Sequence, residues 1–375
     1  MSQLILVKSV GFAYQNILKP LYFLQDPEKV HHSITTLGEK MGEIPFVRNI
    51  SSWTFAGSHP SIEQTTDGMY FRSPLGLAAG FDYEARLTQI LPSLGFGFHT
   101  IGTITNMPYD GNPTPRLGRL PKSKSLMVNK GFKNDGAEAT IDKLEKKQFS
   151  IPLGVSIGRT NSRKLTTQKE SVKDIIHAFT LFEQSPMKHS YYELNISCPN
   201  LYGDITFYPP RNLHELLSEV EKLHIKRPIY IKMPIEKSDK EVLDMLECIS
   251  PFSIQGVIFG NLQKDRNNSA LHKEEVALFP KGNFSGKPTY ERSNELIALT
   301  HLRYHNRFTI IGCGGIFSAD DAYEKIKRGA TLLQLITGLV FMGPQLVSEI
   351  NSALPTLLKR DGFSHLSEAC GVFAQ

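Results

Sequence analysis

The chain has little of what would place it outside the ordinary globular classes. It holds 4 cysteines in 375 residues (Cys198, Cys248, Cys313 and Cys370), without a CxxC pair or regular spacing. A disulfide framework is not indicated in a chain this long, and reduced thiols in a cytosolic compartment are expected. Low-complexity tracts are absent and 40% of residues are hydrophobic, which argues against disorder. No uninterrupted apolar run is long enough to span a bilayer. The greasiest stretch, Leu4 to Leu24, is broken by Lys8, Gln15, Asn16, Lys19 and Pro20 and lacks a small-residue cleavage site. Nor is there a strong excess of one charge, since 42 Lys and Arg against 37 Asp and Glu leave +5. The basic residues are scattered, as in Lys143-Leu-Glu-Lys-Lys147, so no nucleic-acid stripe forms and no nucleic-acid partner is expected. A mildly basic surface is compatible with docking on anionic lipid.

Common catalytic signatures are missing too. No GxGxxG, GxxxxGK[ST] or GxSxG motif falls where it would carry its usual chemistry. His301 and His305 have the spacing of a zinc pair, but no glutamate or third ligand accompanies them, and no metal site is expected.

What is present begins with helices. Val10, Tyr14, Ile17, Leu21 and Leu24 recur at helical spacing. Asp26-Pro27 then supplies an N-cap with proline at the first helical position, and Val30, Ile34, Leu37 and Met41 continue as a stripe. Residues 1–50 are expected to form a helical segment and 51–72 a Ser/Thr/Gly-rich linker. Residues 73–360 would form the main domain and 361–375 a tail.

From residue 75, short apolar runs alternate with helical patterns. The runs are Leu75–Ala79, Phe98–Gly102, Pro152–Ile157, Tyr191–Ile196, Pro228–Met233, Gln255–Phe259, Phe308–Gly312 and Leu332–Ile336. The helical patterns include 133–147, 169–184, 212–224, 238–249 and 290–303. Another is punctuated by a capping box at Ser318 and Asp321, with Ala322 and Ile326 facing inward and Gly329 as its stop. Fully apolar strands alternating with helices imply a parallel sheet, and eight such units an α/β fold of the (β/α)8 TIM-barrel type behind a small N-terminal helical extension. A doubly wound sheet is the alternative topology.

In such a barrel the chemistry sits at the C-terminal strand ends. There the sequence places Ala79-Gly80-Phe-Asp-Tyr83, Gly102-Thr103, Ser156, Asn195-Ile-Ser-Cys198-Pro-Asn200, Lys232, Gly260-Asn261, Gly312-Cys-Gly314-Gly315 and Thr337-Gly338. Gly314-Gly315 and Thr337-Gly338 follow strands seven and eight, a common phosphate position, where glycine lets backbone N–H groups approach an anion. The same glycines suit two tight turns needing positive φ. Lys232 lies in a run that should be buried, where an ammonium is costly without an anion, although a strand-end lysine also snorkels. Cys198 sits among amides able to meet a planar imide, and its thiol is a candidate base or nucleophile. A free cysteine is otherwise a packing residue, as Cys313 is taken to be.

At these residues the chain resembles the dihydroorotate dehydrogenase family, specifically its class 2, the membrane-associated, quinone-linked branch. The resemblance runs over nearly the whole length. It rests on Phe23-Leu-Gln-Asp-Pro-Glu-Lys29, Ser73-Pro-Leu-Gly-Leu-Ala-Ala-Gly80, Gly102-Thr-Ile-Thr105 and Pro115-Arg-Leu117. Asn195-Ile-Ser-Cys-Pro-Asn200, Ser285-Gly-Lys-Pro288 and Ile311-Gly-Cys-Gly-Gly-Ile316 with Gly338 complete it. It implies FMN in a (β/α)8 barrel that oxidises dihydroorotate to orotate in pyrimidine synthesis. A base takes a proton from substrate C5 while a hydride leaves C6 for the flavin. By position, Ala79, Gly80, Tyr83, Thr103, Ser156, Asn195, Lys232, Gly260, Gly286, Gly314, Gly315, Thr337 and Gly338 would meet FMN. Asn129, Gly131, Phe132, Asn195, Asn200 and Asn261 would meet the substrate, and Cys198 falls at the base. The implied acceptor is a membrane quinone, and the implied location is peripheral, on the cytoplasmic side of the cell membrane through the N-terminal helices.

The chain departs from the family pattern at the site. Class 2 normally has serine at the base position, whereas cysteine belongs to the soluble class 1 enzymes. The family's lysine after Gly-x-Asp is Tyr83, its strand-three asparagine is Ser156, and the strand-six Thr-Asn-Thr is Gly260-Asn-Leu262. The asparagine of Asn-x-x-Gly-Phe appears one position late, as Asn129 in Asn-Lys-Gly-Phe132. The rivals are a soluble class 1-like enzyme using fumarate or NAD and a flavin barrel acting on another pyrimidine. A flavin- or phosphate-binding barrel without turnover is the non-enzyme rival.

Overall fold

The computed structural model describes residues 3–203 and 205–374. Its N-terminal part comprises α1 (Gln3–Ala13), a π-helical turn (Tyr14–Leu18), α2 (Lys19–Phe23), α3 (Pro27–Glu43) and α4 (Pro45–Phe55). Asp26 caps α3 by accepting from the Lys29 N–H, and Pro27 occupies the first turn, as the sequence implies. α4 continues to Phe55, through Ser51 and Ser52 and beyond the residue-50 boundary. Packing on the 3₁₀ turn Leu91–Leu94 overrides the weak helix preference of the serines.

The π-helical turn changes how the first stripe is used. It inserts a wider turn into the ladder and rotates the helix face after Tyr14. Val10 and Tyr14 point into the molecule, with the Tyr14 hydroxyl donating 2.7 Å to the Val340 carbonyl. Ile17, Leu21 and Leu24 instead face outward, Leu24 being 86% exposed. The single stripe expected from the spacing is thus two faces.

The strands are β1 (Gln64–Thr66), β2 (Met69–Phe71), β3 (Leu75–Leu77), β4 (Phe98–Ile104), β5 (Leu117–Leu120), β6 (Ser125–Val128) and β7 (Leu153–Ile157). They continue as β8 (Tyr191–Asn195), β9 (Ile229–Lys232), β10 (Gly256–Phe259), β11 (Asn283–Phe284), β12 (Thr309–Cys313) and β13 (Leu332–Leu335). β3, β4, β7, β8, β9, β10, β12 and β13 pair in parallel in that order, and β13 returns to β3 to close a barrel. This closure decides against the doubly wound alternative. Helices including α5 (Ala137–Leu144), α6 (Gln168–Gln184), α7 (Pro210–Glu221) and α8 (Asp239–Ile249) surround the barrel, their apolar faces buried against the strands. The β1–β2 hairpin lies at the opposite mouth from the site. There Phe71 packs on Phe98, Tyr191 and Tyr230 at the strand starts, and Asp67 accepts from the Tyr230 hydroxyl at 2.6 Å.

After α9 (Lys273–Ala277) and α10 (Tyr290–Tyr304), α11 (Ala319–Lys327) begins as expected at Ser318, whose hydroxyl accepts from the Asp321 N–H. The capping box is not reciprocal. Asp321 accepts from the Phe317 N–H, one residue upstream, which replaces the expected return contact to Ser318. α12 (Thr337–Met342), α13 (Leu346–Arg360) and α14 (Leu366–Ala369) finish the chain, the last burying Leu366 and Ala369. No helix among the described residues is long and apolar enough to cross a membrane.

Candidate functional site

A cavity of about 550 Å³ runs from the C-terminal strand ends outward between the barrel and the N-terminal helices. Its outer part is apolar, with Val10, Tyr14, Val30, Ile34, Leu37 and Met41 facing Leu87, Ile90, Leu94 and Val340. Its inner part is lined by Ala79, Gly80, Tyr83, Thr103, Asn195, Cys198, Asn200, Lys232, Gly260 and Asn261. Gly286, Gly314, Gly315, Thr337 and Gly338 line it as well. One concave surface therefore joins residues from nearly every strand end to the helical segment, the form expected of a small-molecule site.

The inner wall is held by a relay of hydroxyls and amides. The Ser156 and Thr103 hydroxyls lie 2.9 Å apart, and the Asn195 amide donates to Thr103 Oγ1 at 2.9 Å. Asn195 Oδ1 accepts from both the N–H and the hydroxyl of Ser197, whose Oγ accepts from the Asn261 amide at 2.6 Å. Asn200 is fixed from the three-stranded sheet β5–β6–β11. It donates to the Val128 carbonyl, and its Oδ1 accepts from Asn283 at 2.8 Å.

Two expected contacts lie off the cavity wall. Ser156 is fully buried behind Thr103 and acts on the site only through that hydroxyl. It is the serine of Gly154-Val-Ser-Ile-Gly158, which has GxSxG spelling but lies largely within β7, not at a strand-to-helix elbow. Asn129 faces away, accepting from the Asn112 amide at 3.2 Å. Side chains alternate along an extended chain, so Leu126, Val128 and Lys130 turn inward while Met127 and Asn129 turn out. Gly131 and Phe132 do line the cavity.

Cys198 is half-buried on the cavity wall. Burial pushes its thiol up to about 12, while the Asn200 N–H and the cations Lys264, Arg159 and Lys232 pull the other way without prevailing. The thiol is therefore held protonated here, and the ordinary value assumed from sequence is corrected upward. Lys232 is 5% exposed and has no hydrogen bond or ion pair among the described residues. Beneath it in the barrel lies Glu193, which accepts from the Thr100 hydroxyl at 2.5 Å and from the Gln334 amide. Burial raises the Glu193 carboxyl, with Lys232 the chief opposing influence.

Sequence reasoning missed several groups. Lys130, His31 and Arg119 line the cavity, and Asn112 and Asn283 orient the asparagines. The Asn129-Lys-Gly-Phe132 shift was the available signal for Lys130. Burial pushes the His31 imidazole down to about 3, aided by the nearby Lys130. Its Nε2–H donates to the Phe81 carbonyl at 2.8 Å.

Comparison with known proteins places these features in context. A family model described as dihydroorotate dehydrogenase matches residues 61–358. A relative from Nitratiruptor sp., named dihydroorotate dehydrogenase (quinone), is 34% identical over 360 residues, covering 96% of this chain and 99% of its own. One of the same name from Christiangramia forsetii is 33% identical, covering 91% and 98%. Among solved structures, a ligand-free dihydroorotate dehydrogenase (DHODH) from Eimeria tenella has a TM-score of 0.81 at 25% identity, covering 92% of this chain and 99% of that one.

Proposed function

The chain belongs to the dihydroorotate dehydrogenase family, and from that premise we propose the chemistry of its cavity. The protein oxidises dihydroorotate to orotate in pyrimidine biosynthesis, with FMN as cofactor and a membrane quinone as final acceptor. The observation that carries this reading is one continuous cavity with two unlike halves. Cys198, Asn195, Asn200, Asn261 and Lys232 line its polar end, and an apolar passage between α1, α3 and the barrel leads out.

The residues present fit FMN. Lys232 offers a buried ammonium with no hydrogen bond or ion pair among the described residues, the complement of a flavin's electron-rich pyrimidine edge. The glycines keep the opposite side of the cavity open to backbone. Gly314 and Gly315 have φ of +109° and +72°, conformations in which other residues are strained. When bound, FMN would supply the acceptor for the hydride equivalent leaving substrate C6. The asparagines would hold the ring amides of the substrate, their own amides being fixed by Ser197, Thr103, Val128 and Asn283. Cys198 Sγ removes the C5 proton. A thiol held at about 12 is a weak acid in this setting, so deprotonation depends on the cations around it and on the bound substrate.

The apolar passage supports quinone as acceptor over a soluble dinucleotide, which would need polar contacts along its path. The outer faces of the helical segment support contact with a membrane surface. Phe12 is 69% exposed, Trp53 64%, and Leu4, Ile5, Leu21 and Phe46 are exposed with them. Anaerobic addition of dihydroorotate to purified protein carrying FMN tests the function. Bleaching of the flavin with one orotate formed per flavin supports it, and a flavin that stays oxidised removes it.

A further inference from the structure

Lys130 is the least expected group in the cavity wall. It follows β6 two residues after Val128, and strand alternation turns it inward where the expected asparagine turns out. Its side chain is buried, with 8% of the residue exposed. The ammonium donates to the Tyr83 hydroxyl at 3.1 Å and lies 4.2 Å from the centre of the Tyr83 ring. It has no other hydrogen bond and no ion pair among the described residues.

The acids around it are engaged elsewhere. Glu28 pairs with Arg116 at 2.9 Å, and Glu84 pairs with Arg86. Lys133, also on the cavity wall, adds positive charge 5.9 Å from the same ring. His31, stacked on Tyr83, is held neutral by burial and adds no further positive charge. Lys232, the other deeply buried cation on the wall, has Glu193 below it in the barrel. The acids that act on Lys130, Glu28 and Glu84, are each already paired with an arginine. An ammonium carries three donors, and only one is used here, in a setting where an unpaired charge is costly.

Resting on the function proposed above, we infer that Lys130 is a substrate-binding residue whose ammonium pairs with the carboxylate of dihydroorotate and orotate. The residue adjoins Gly131 and Phe132 on the same wall, and the asparagines Asn195, Asn200 and Asn261 supply only neutral donors and acceptors. The ring amides of the substrate match those asparagines, and its one full negative charge matches the free cation. Tyr83 is a positioning residue, because its hydroxyl and ring fix where the ammonium points.

The test is equilibrium binding of orotate to the FMN-loaded protein, read from the perturbation of the flavin spectrum, against uracil as a probe lacking the carboxylate. Lys130→Met is expected to weaken orotate binding about 10- to 100-fold, the usual cost of losing a charged hydrogen bond. Uracil binding, FMN content and Tm are expected to stay as in the wild type. Tyr83→Phe is expected to shift orotate binding in the same direction by a smaller factor. Unchanged orotate affinity in Lys130→Met overturns the assignment, and so does an equal loss for orotate and uracil, which marks general damage. Unchanged orotate affinity with a lowered flavin midpoint potential overturns it in favour of a flavin contact. A wild-type flavin that dihydroorotate does not reduce removes the underlying function instead, a result distinct from any of these.

Discussion

His31 of the helical segment stacks on Tyr83 of the barrel, ring centroids 5.2 Å apart and planes 13° from parallel. Tyr83 in turn carries Lys130, so α3 forms part of the polar end of the cavity as well as its apolar passage. Glu28 and Glu39 of α3 strengthen the join through Arg116 and Lys143. Removing residues 1–45 would therefore disturb the chemistry along with the acceptor route. Point changes on the outer face separate the two.

Phe12→Glu combined with Trp53→Glu is expected to abolish binding to anionic vesicles and to slow reoxidation by a long-tailed quinone about tenfold or more. Both side chains face outward, so anaerobic flavin reduction by dihydroorotate should be unchanged. Vesicle co-sedimentation and stopped-flow absorbance read the two halves separately. Retained vesicle binding would show that these faces do not meet lipid.

Cys198→Ala should keep FMN and lose roughly 10²–10⁴ in the rate of flavin reduction, the usual worth of a general base. Because burial holds the thiol near 12, the active thiolate fraction rises with pH throughout the neutral range. The wild-type reduction rate should climb between about pH 7 and 9 and lose that slope in Cys198→Ala. A flat wild-type profile would remove the thiol from the rate-limiting proton transfer.

Lys232→Met takes the chief opposing cation from above Glu193 and, on the function proposed above, the cation facing the flavin edge. Flavin reduction should slow by about 10²-fold, the scale of losing one electrostatic donor in a site closed to water. Rapid-reaction kinetics at saturating dihydroorotate provide the measurement, and a wild-type rate would place Lys232 outside the chemistry.

Gly315→Ala meets two obstacles. Its φ of +72° is strained for alanine, and the new Cβ would lie 2.6 Å from Tyr290 Cβ. A loss of about 1–3 kcal/mol is expected, with lower FMN content in the protein as isolated. Denaturant unfolding and flavin absorbance check both, and full stability with full occupancy would count against a tight turn at this wall.

His189 is buried edge-on against Tyr192, with neither ring nitrogen hydrogen-bonded among the described residues. Burial pushes it down to about 3, with Arg227 adding to the effect. Between that value and about 6.5 the unfolded chain binds the proton and the folded one does not, so stability falls as pH drops through this window. His189→Phe should flatten the fall in Tm between about pH 6.5 and 4, leaving Tm near neutrality within a few degrees. An unchanged acid slope would place the sensitivity in other groups, His31 first among them.

The local patterns of the chain determined the eight barrel strands, the Asp26 and Ser318 helix starts and the glycine turns near the cavity, since each depends on periodicity or capping within a few residues. Most of the candidate contacts were legible for a related reason. Strand ends of a barrel converge, so residues such as Thr103, Asn195, Lys232 and Asn261 meet once the strands are placed. What tertiary structure alone decided came from register and long-range packing. The π-helical turn sent Tyr14 to Val340 and Ile17 to solvent, a contact across 326 residues that no window of sequence contains. One residue of alternation after β6 exchanged Asn129 for Lys130 on the cavity wall and brought an ammonium onto Tyr83. Burial then raised the Cys198 thiol far above its ordinary value. Those three outcomes depend on which side of a chain faces a neighbour distant in sequence, and that is settled only when the neighbours pack.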